Sequence, residues 1–403
     1  MEMNWDLFRA MLAMDSTSGK ERQVAEWLLE HLEAPSKQSF EVGDGTLNLL
    51  FSWGTPKVVF CSHMDTVPPY IPPVFPDRSF VAYAPQDDKG ASAHQDDKGA
   101  DALQDDRRAD AHQDDKSCHS ERSEESFSTG GSISGRGSCD AKGQIFAMYT
   151  ACKELEASGF TDFGLLLLSG EETGSWGAKA FAKTDFRAPF LIVGEPTENK
   201  MVSASKGTLS YDLKFSGEAF HSGYPQYGLS AVDLFNQFYN ELKAKDFGLD
   251  PELGETSWNI GLLHSDNPQN ILSPELTCRL YFRTTFVSHE KVKAWMEEIP
   301  GQAGNDGLSV GNGGERHGRP RPAISARGGD VPAHYVTLEG FESAPVAFGS
   351  DAPHLSNFGH KIICGPGSIR YAHRPDEHIL VNELEEAVDL YTRMYENLQL
   401  IDS

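Results

Sequence analysis

Nowhere does this chain carry an apolar run near the roughly 20 residues that cross a bilayer; residues 165–168, one of its longer aliphatic runs, fall far short. A secretory signal is missing too. The start, Met1-Glu2-Met3-Asn4-Trp5-Asp6, is acidic where a signal is basic, so a cytoplasmic protein is expected. The six cysteines (61, 118, 139, 152, 278 and 364) include no Cys-x-x-Cys pair. Most lie in or beside apolar runs, as reduced buried thiols do, which excludes a disulfide framework and a thiolate zinc site. Positive charge is also scarce: 35 Lys and Arg face 60 Asp and Glu, a net charge of -25. Nucleic acid, whose phosphates such a surface repels, is excluded as a partner. The remaining reading is a solvated acidic surface, with some carboxylates clustered to bind cations.

At 403 residues the chain is long enough for two hydrophobic cores. Residues 4–33 show helical spacing twice, at Leu7, Phe8, Met11 and Leu12 and at Val24, Trp27, Leu28 and Leu32, with a polar capping turn at residues 16–21. Residues 48–51 and 58–61 read as strands, and an amphipathic helix runs through Ile145, Met148, Cys152 and Leu155. Further strands at 163–168 and 190–193 alternate with a helix near 178–182. That alternation predicts an α/β domain with a mostly parallel sheet covered on both faces.

From residue 203 the pattern becomes that of a small α+β layer: strands at 208–215, 258–263 and 276–285, and helices through Val232–Leu242 spacing and 292–299. Strands at 344–348 and 361–364 then return to the parallel sheet, and a last helix covers 380–398. The expected organisation is a catalytic domain in two parts, 1–202 and 332–403, with an inserted unit at 203–331. Two stretches read as loose insertions. Around 84–130, a Gln-Asp-Asp-(Lys/Arg) unit recurs every nine residues with almost nothing apolar to bury, and His94, His112 and His119 belong to that solvated loop. Around 300–330 the chain is rich in Gly, Arg and Pro.

His63 and Asp65 end the strand at 58–63, and their side chains point the same way because successive strand residues alternate faces. That suits an imidazole metal ligand with a carboxylate behind it. Glu171-Glu172, Glu195, His373 and Asp140 also lie at strand ends or in the turns that follow. In open parallel sheets such residues converge outside the carboxyl ends of the strands. So many carboxylates gather at low cost only if cations neutralise them.

The ordered motifs Ser-His-Met-Asp-Thr-Val-Pro, Gly-Arg-Gly-Ser-Cys-Asp-Ala-Lys-Gly, Ser-Gly-Glu-Glu-Thr-Gly, Gly-Glu-Pro-Thr and Ala-His-Arg-Pro-Asp-Glu resemble the M20 metallopeptidase and deacylase family. The match covers nearly the whole chain outside the two insertions. It implies a di-zinc centre, with cobalt able to substitute, in which Asp140 bridges the metals. His63 and Glu195 hold one metal; Glu172 and His373 hold the other. By the same resemblance Asp65 orients His63, Glu171 is the general base, and a cis peptide follows Asp140. His221 is the lid histidine that reaches the partner subunit's active site, which implies a homodimer through the inserted lid domain. Asn270 and Arg283 correspond to residues that bind the substrate carboxylate. Lys142 is expected to be a structural salt-bridge partner, and Cys61 and Cys139 small buried residues. His264, His289, His334, His354 and His360 take no role.

The turns at 349–353 and 365–369 look most like the acetylornithine deacetylase branch, which implies a zinc-dependent hydrolase of N-acyl-L-amino acids in arginine biosynthesis. The rivals within the family are a succinyl-diaminopimelate desuccinylase and a dipeptidase or carboxypeptidase. A rival of another class is an inactive metal-binding scaffold on the same fold.

Overall fold

The computed structural model describes residues 3–43, 45–76, 131–299 and 321–401. The nine-residue repeats, His94, His112, His119 and Cys118 lie outside them. A six-stranded sheet organises the larger unit, in the order Ser36–Gly43, Thr46–Gly54, Asp162–Leu168, Val58–His63, Ala188–Val193, Phe358–Ile363. The first two pairings are antiparallel and the other three parallel. The central strands are apolar on both faces because both faces are covered. Val58 and Phe60 join a core beneath the N-terminal helices and the helices Lys142–Ala157 and Val381–Ile401; Val59 and Cys61 join the opposite core, against the helix Trp176–Phe181.

The helices Trp5–Leu12 and Arg22–His31 form where their apolar spacing places them. Phe8 stacks on Phe146 with ring centres 4.8 Å apart and meets Phe75 edge-on at 5.9 Å. The helix Lys142–Ala157 is not amphipathic as expected: ten of its first eleven residues are buried, because sheet and helices enclose it on all sides.

The second unit is an antiparallel sheet ordered Ser257–His264, Glu275–Thr284, Gly207–Ser216, Ala323–Gly328. Glu275–Thr284 alternates buried and more exposed positions. Its inner side chains pack with Phe238 and Val292 from the helices Ala231–Ala244 and His289–Glu298. The strand Ala323–Gly328 corrects the reading of 300–330 as all insertion: it pairs with Gly207–Ser216, Ile324 opposite Leu213. The strand Ser343–Val346 does not enter the parallel sheet as expected. It pairs instead with Met201–Ser205 in a separate three-stranded sheet. Among the described residues no helix is long and apolar enough to cross a membrane.

Candidate metal centre

Three parallel strands deliver the first group of side chains. His63 is the last residue of its strand, Glu171 and Glu172 follow the strand ending at Leu168, and Glu195 follows the strand ending at Val193. Asp140 precedes the helix Lys142–Ala157, and the Asp140–Ala141 peptide is cis, as expected. His373 adopts a left-handed backbone, φ 64°, which a residue other than glycine takes at some cost.

The ligand atoms of His63, Asp140 and Glu195 lie within 4.8 Å of one another, and so do those of Asp140, Glu172 and His373. Asp140 belongs to both groups and turns one oxygen to each: Oδ1 lies 3.1 Å from His63 Nε2 and Oδ2 3.4 Å from His373 Nε2. His373 Nε2 is also 2.9 Å from Glu172 Oε1. Both nitrogens of His63 face acceptors, since Nδ1 is 3.0 Å from the Asp65 carbonyl and 3.4 Å from its Oδ1. Such a ring is either an imidazolium or a neutral ligand whose Nε2 lone pair meets a cation.

Metal ions fit these residues. Two imidazoles and three carboxylates, with no thiolate, form the nitrogen and oxygen set that Zn2+ accepts. Glu195 Oε1 is buried without a hydrogen-bond partner, a costly position for a carboxylate oxygen unless a cation takes it.

Without cations the charges push on one another. Burial drives Glu171 and Glu195 well above the usual carboxylate range, reinforced by their acidic neighbours. Burial also raises Glu172. Burial opposes ionisation of Asp140, but hydrogen bonds from His373 and His63 outweigh it and hold Asp140 low. The same contacts to Asp140 and Glu172 lift His373 to about 10. For His63, burial works against the charge, and the Asp140 and Asp65 contacts overcome it.

Asp65 does more than back His63. Fully buried, it accepts from Glu171 N at 3.0 Å through Oδ1, and from Glu172 N at 3.1 Å and Ser18 Oγ at 2.9 Å through Oδ2. The carboxylate therefore fixes the turn that separates Glu171 from Glu172 as well as the imidazole.

Sequence reading gave no role to three buried acids around the centre. Asp351, raised to about 6 by burial, has an unpartnered Oδ1 and lies in electrostatic range of Glu171 and Glu195. Glu21 accepts from Gly19 N at 2.7 Å, and Glu377 braces the Asp140 turn. Single acids in polar motifs leave no periodic signal; the Glu that closes Ala-His-Arg-Pro-Asp-Glu was the one hint.

Lys142 corrects its expectation. Its buried ammonium donates to the carbonyls of Met11, 3.1 Å, and Met14, 2.8 Å, rather than to a carboxylate. The five cysteines among the described residues are free and buried, as expected. Of the histidines without a role, His289 bonds Thr284 Oγ1, and His334 and His354 pair with Glu252 and Asp330.

The lid histidine and the substrate-binding candidates stand outside the convergent group. His221 is exposed, and its Nδ1 accepts from Gly223 N at 3.1 Å. Asn270 is beside it, its carbonyl accepting from Ser222 N at 2.9 Å. Arg283 faces the turn that carries Asp351: a β-carbon on Gly349 would lie 3.8 Å from its Nη1.

Residues 111–397 match the profile of peptidase family M20/M25/M40. The chain belongs to this family. A peptidase M20 domain-containing protein of Schizosaccharomyces pombe is 28% identical over 96% of this chain and 83% of its own length. A probable carboxypeptidase of Aspergillus flavus is 28% identical over 96% of this chain and 88% of its own. Among solved structures, a tripeptidase from Staphylococcus aureus superposes with a TM-score of 0.65 at 16% identity, covering 96% of both chains. An M20 family metallo-carboxypeptidase from Sulfolobus solfataricus gives 0.61 at 15% identity, over 98% of this chain and 99% of that one. The two structures bear on the fold. Family membership makes this M20 chain a hydrolase of amide bonds.

Proposed function

We propose that this M20 hydrolase cleaves the peptide bond of short peptides that carry a free C-terminal carboxylate, at a centre built for two zinc ions. The observation that carries the proposal is Asp140 with one oxygen toward each imidazole and Glu171 on the adjoining turn. The curated relatives described above favour peptides over N-acetylornithine: one is named a peptidase M20 domain-containing protein and the other a probable carboxypeptidase. The deacetylase reading, with its place in arginine biosynthesis, therefore gives way to the peptidase alternative.

When bound, the zinc pair makes a water acidic at neutral pH and polarises the scissile carbonyl. The chain's own residues do the rest. His63 and Glu195 form one side of the cradle, Glu172 and His373 the other, and Asp140 sets their separation. Asp65 holds the His63 ring so that Nε2 faces inward. Glu171 takes the water's proton and delivers it to the leaving amine. Arg283, a planar fork of donors, binds the substrate carboxylate, whereas Asn270, beside His221 at the other end of the strand Glu275–Thr284, acts together with that histidine. His221 acts on the oxyanion in the partner copy's site, in a homodimer joined through the 203–331 unit.

The test is turnover of di- and tripeptides with free or amidated C-termini, with N-acetyl-L-ornithine and N-succinyl-diaminopimelate in parallel. Each is assayed with zinc or cobalt, with chelator, and with Glu171→Gln. Expected is metal-dependent cleavage of free-carboxylate peptides that falls about 10²- to 10⁴-fold in the variant while metal content holds. Preference for N-acetylornithine would restore the deacetylase reading. A protein holding two metals that cleaves none of these amides would refute the substrate class.

A further inference from the structure

We propose that Glu377 is the positioning residue for the bridging carboxylate: it clamps the turn that presents Asp140 to the segment that presents His373. The inference rests on the two-metal reading above and adds to it a residue outside the ligand set.

Glu377 is 1% exposed. Its Oε1 accepts three backbone amides of one turn: Gly137 N at 2.9 Å, Cys139 N at 3.1 Å and Asp140 N at 3.2 Å. Amides of one turn converging on one anion make an anion-binding concavity, and each would be costly to bury without an acceptor. The third donor is the peptide of Asp140 itself. The anion thus sets the plane from which the Asp140 side chain leaves, and that side chain reaches both imidazoles.

Glu377 Oε2 takes the Arg136 guanidinium, 2% exposed, whose Nε donates to the Pro69 carbonyl at 3.2 Å. The Glu377 carbonyl accepts from Gly135 N at 3.0 Å. Just beyond, His378–Leu380 pairs antiparallel with Ser132–Ser134. Four residues before Glu377 in the chain is His373. Asp140 and His373, two of the three ligands of one metal position, therefore come from segments locked together at Glu377.

Stability alone does not require this arrangement, since a buried ion pair is often replaceable by apolar side chains at little cost. Holding a bridging carboxylate to the tolerance of a two-metal site does require something rigid, because partners behind the ligands set metal affinity.

The experiment titrates Zn2+ alone, and then Co2+ with its visible absorption, into metal-free wild type, Glu377→Gln and the double variant Arg136→Gln/Glu377→Gln. The double variant removes the unpaired guanidinium that the single one leaves, so folding does not depend on that charge. Circular dichroism and cooperative unfolding establish which variants fold. The proposal expects folded variants whose weaker site loses about 10- to 100-fold in metal affinity, with an altered Co2+ spectrum. Unchanged dissociation constants and spectrum in a folded variant would overturn it, as would the failure of both variants to fold, which would make Glu377 a requirement of the fold. A wild type that binds no second metal would instead refute the two-metal reading beneath it.

Discussion

Replacing Asp65 by Asn keeps the shape of the side chain, removes its charge and turns one of its two acceptor oxygens into a donor. In the native protein Oδ1 takes Glu171 N and Oδ2 takes Glu172 N together with Ser18 Oγ. An asparagine oriented to keep the two donors on its oxygen turns its NH2 toward Glu171 N, leaving that amide facing another donor. A hydrogen-bond group stranded in this way costs about 1–3 kcal/mol. The His63 ring loses its charged partner as well, for which about 10- to 100-fold in metal affinity is expected. Denaturant unfolding of the metal-free protein reads the first effect and Zn2+ titration the second. An Asp65→Asn protein with wild-type stability and wild-type zinc affinity would refute the role given to this carboxylate.

Other outcomes follow from the same structure. Phe8→Ala removes a ring stacked on Phe146 in the larger core and should cost about 3–5 kcal/mol in denaturant unfolding, with no change in metal stoichiometry. Metal-free protein should lose stability as pH rises. His373 titrates near 10 when folded against 6.5 ordinarily, so the stability it lends is full below about 6.5 and gone by about 10. Raised His63, Glu171 and Glu195 act in the same direction, because the folded state binds more protons than the unfolded one. Thermal melts across that range should show the decline, and His373→Gln should flatten it. Because metal must displace those protons, zinc affinity should rise over the same interval, as calorimetry in buffers of different ionisation enthalpy would show.

Continuous apolar runs made the central strands legible: residues 163–168 are buried on both sides, and no polar residue interrupts them. Ser36–Gly43 went unread because an edge strand mostly in solvent needs little apolar surface, and it offers only Phe40 and Val42. Ala323–Gly328 was hidden by its exposed, Gly- and Arg-containing composition; its order comes from backbone pairing with Gly207–Ser216. Ser343–Val346 was recognisable as extended chain, but nothing local names a strand's partner. The candidate ligands were legible for the opposite reason. Chemistry-bearing residue types at strand ends stand out, and the structure gathers His63, Asp140, Glu172, Glu195 and His373 into two groups. What lies behind them was not, because Asp351 and Glu377 act on segments far apart from them in the chain, and Glu21 sits in a polar turn with no periodic signal.

The most direct measurement is the number of zinc ions bound per chain by the wild type and by Asp140→Asn, by equilibrium dialysis with metal analysis. An asparagine has one oxygen to offer where Asp140 has two, each turned to a different imidazole. The expected result is two zinc ions for the wild type and at most one for the variant. Two ions in both, or none in the wild type, would contradict a centre bridged by Asp140.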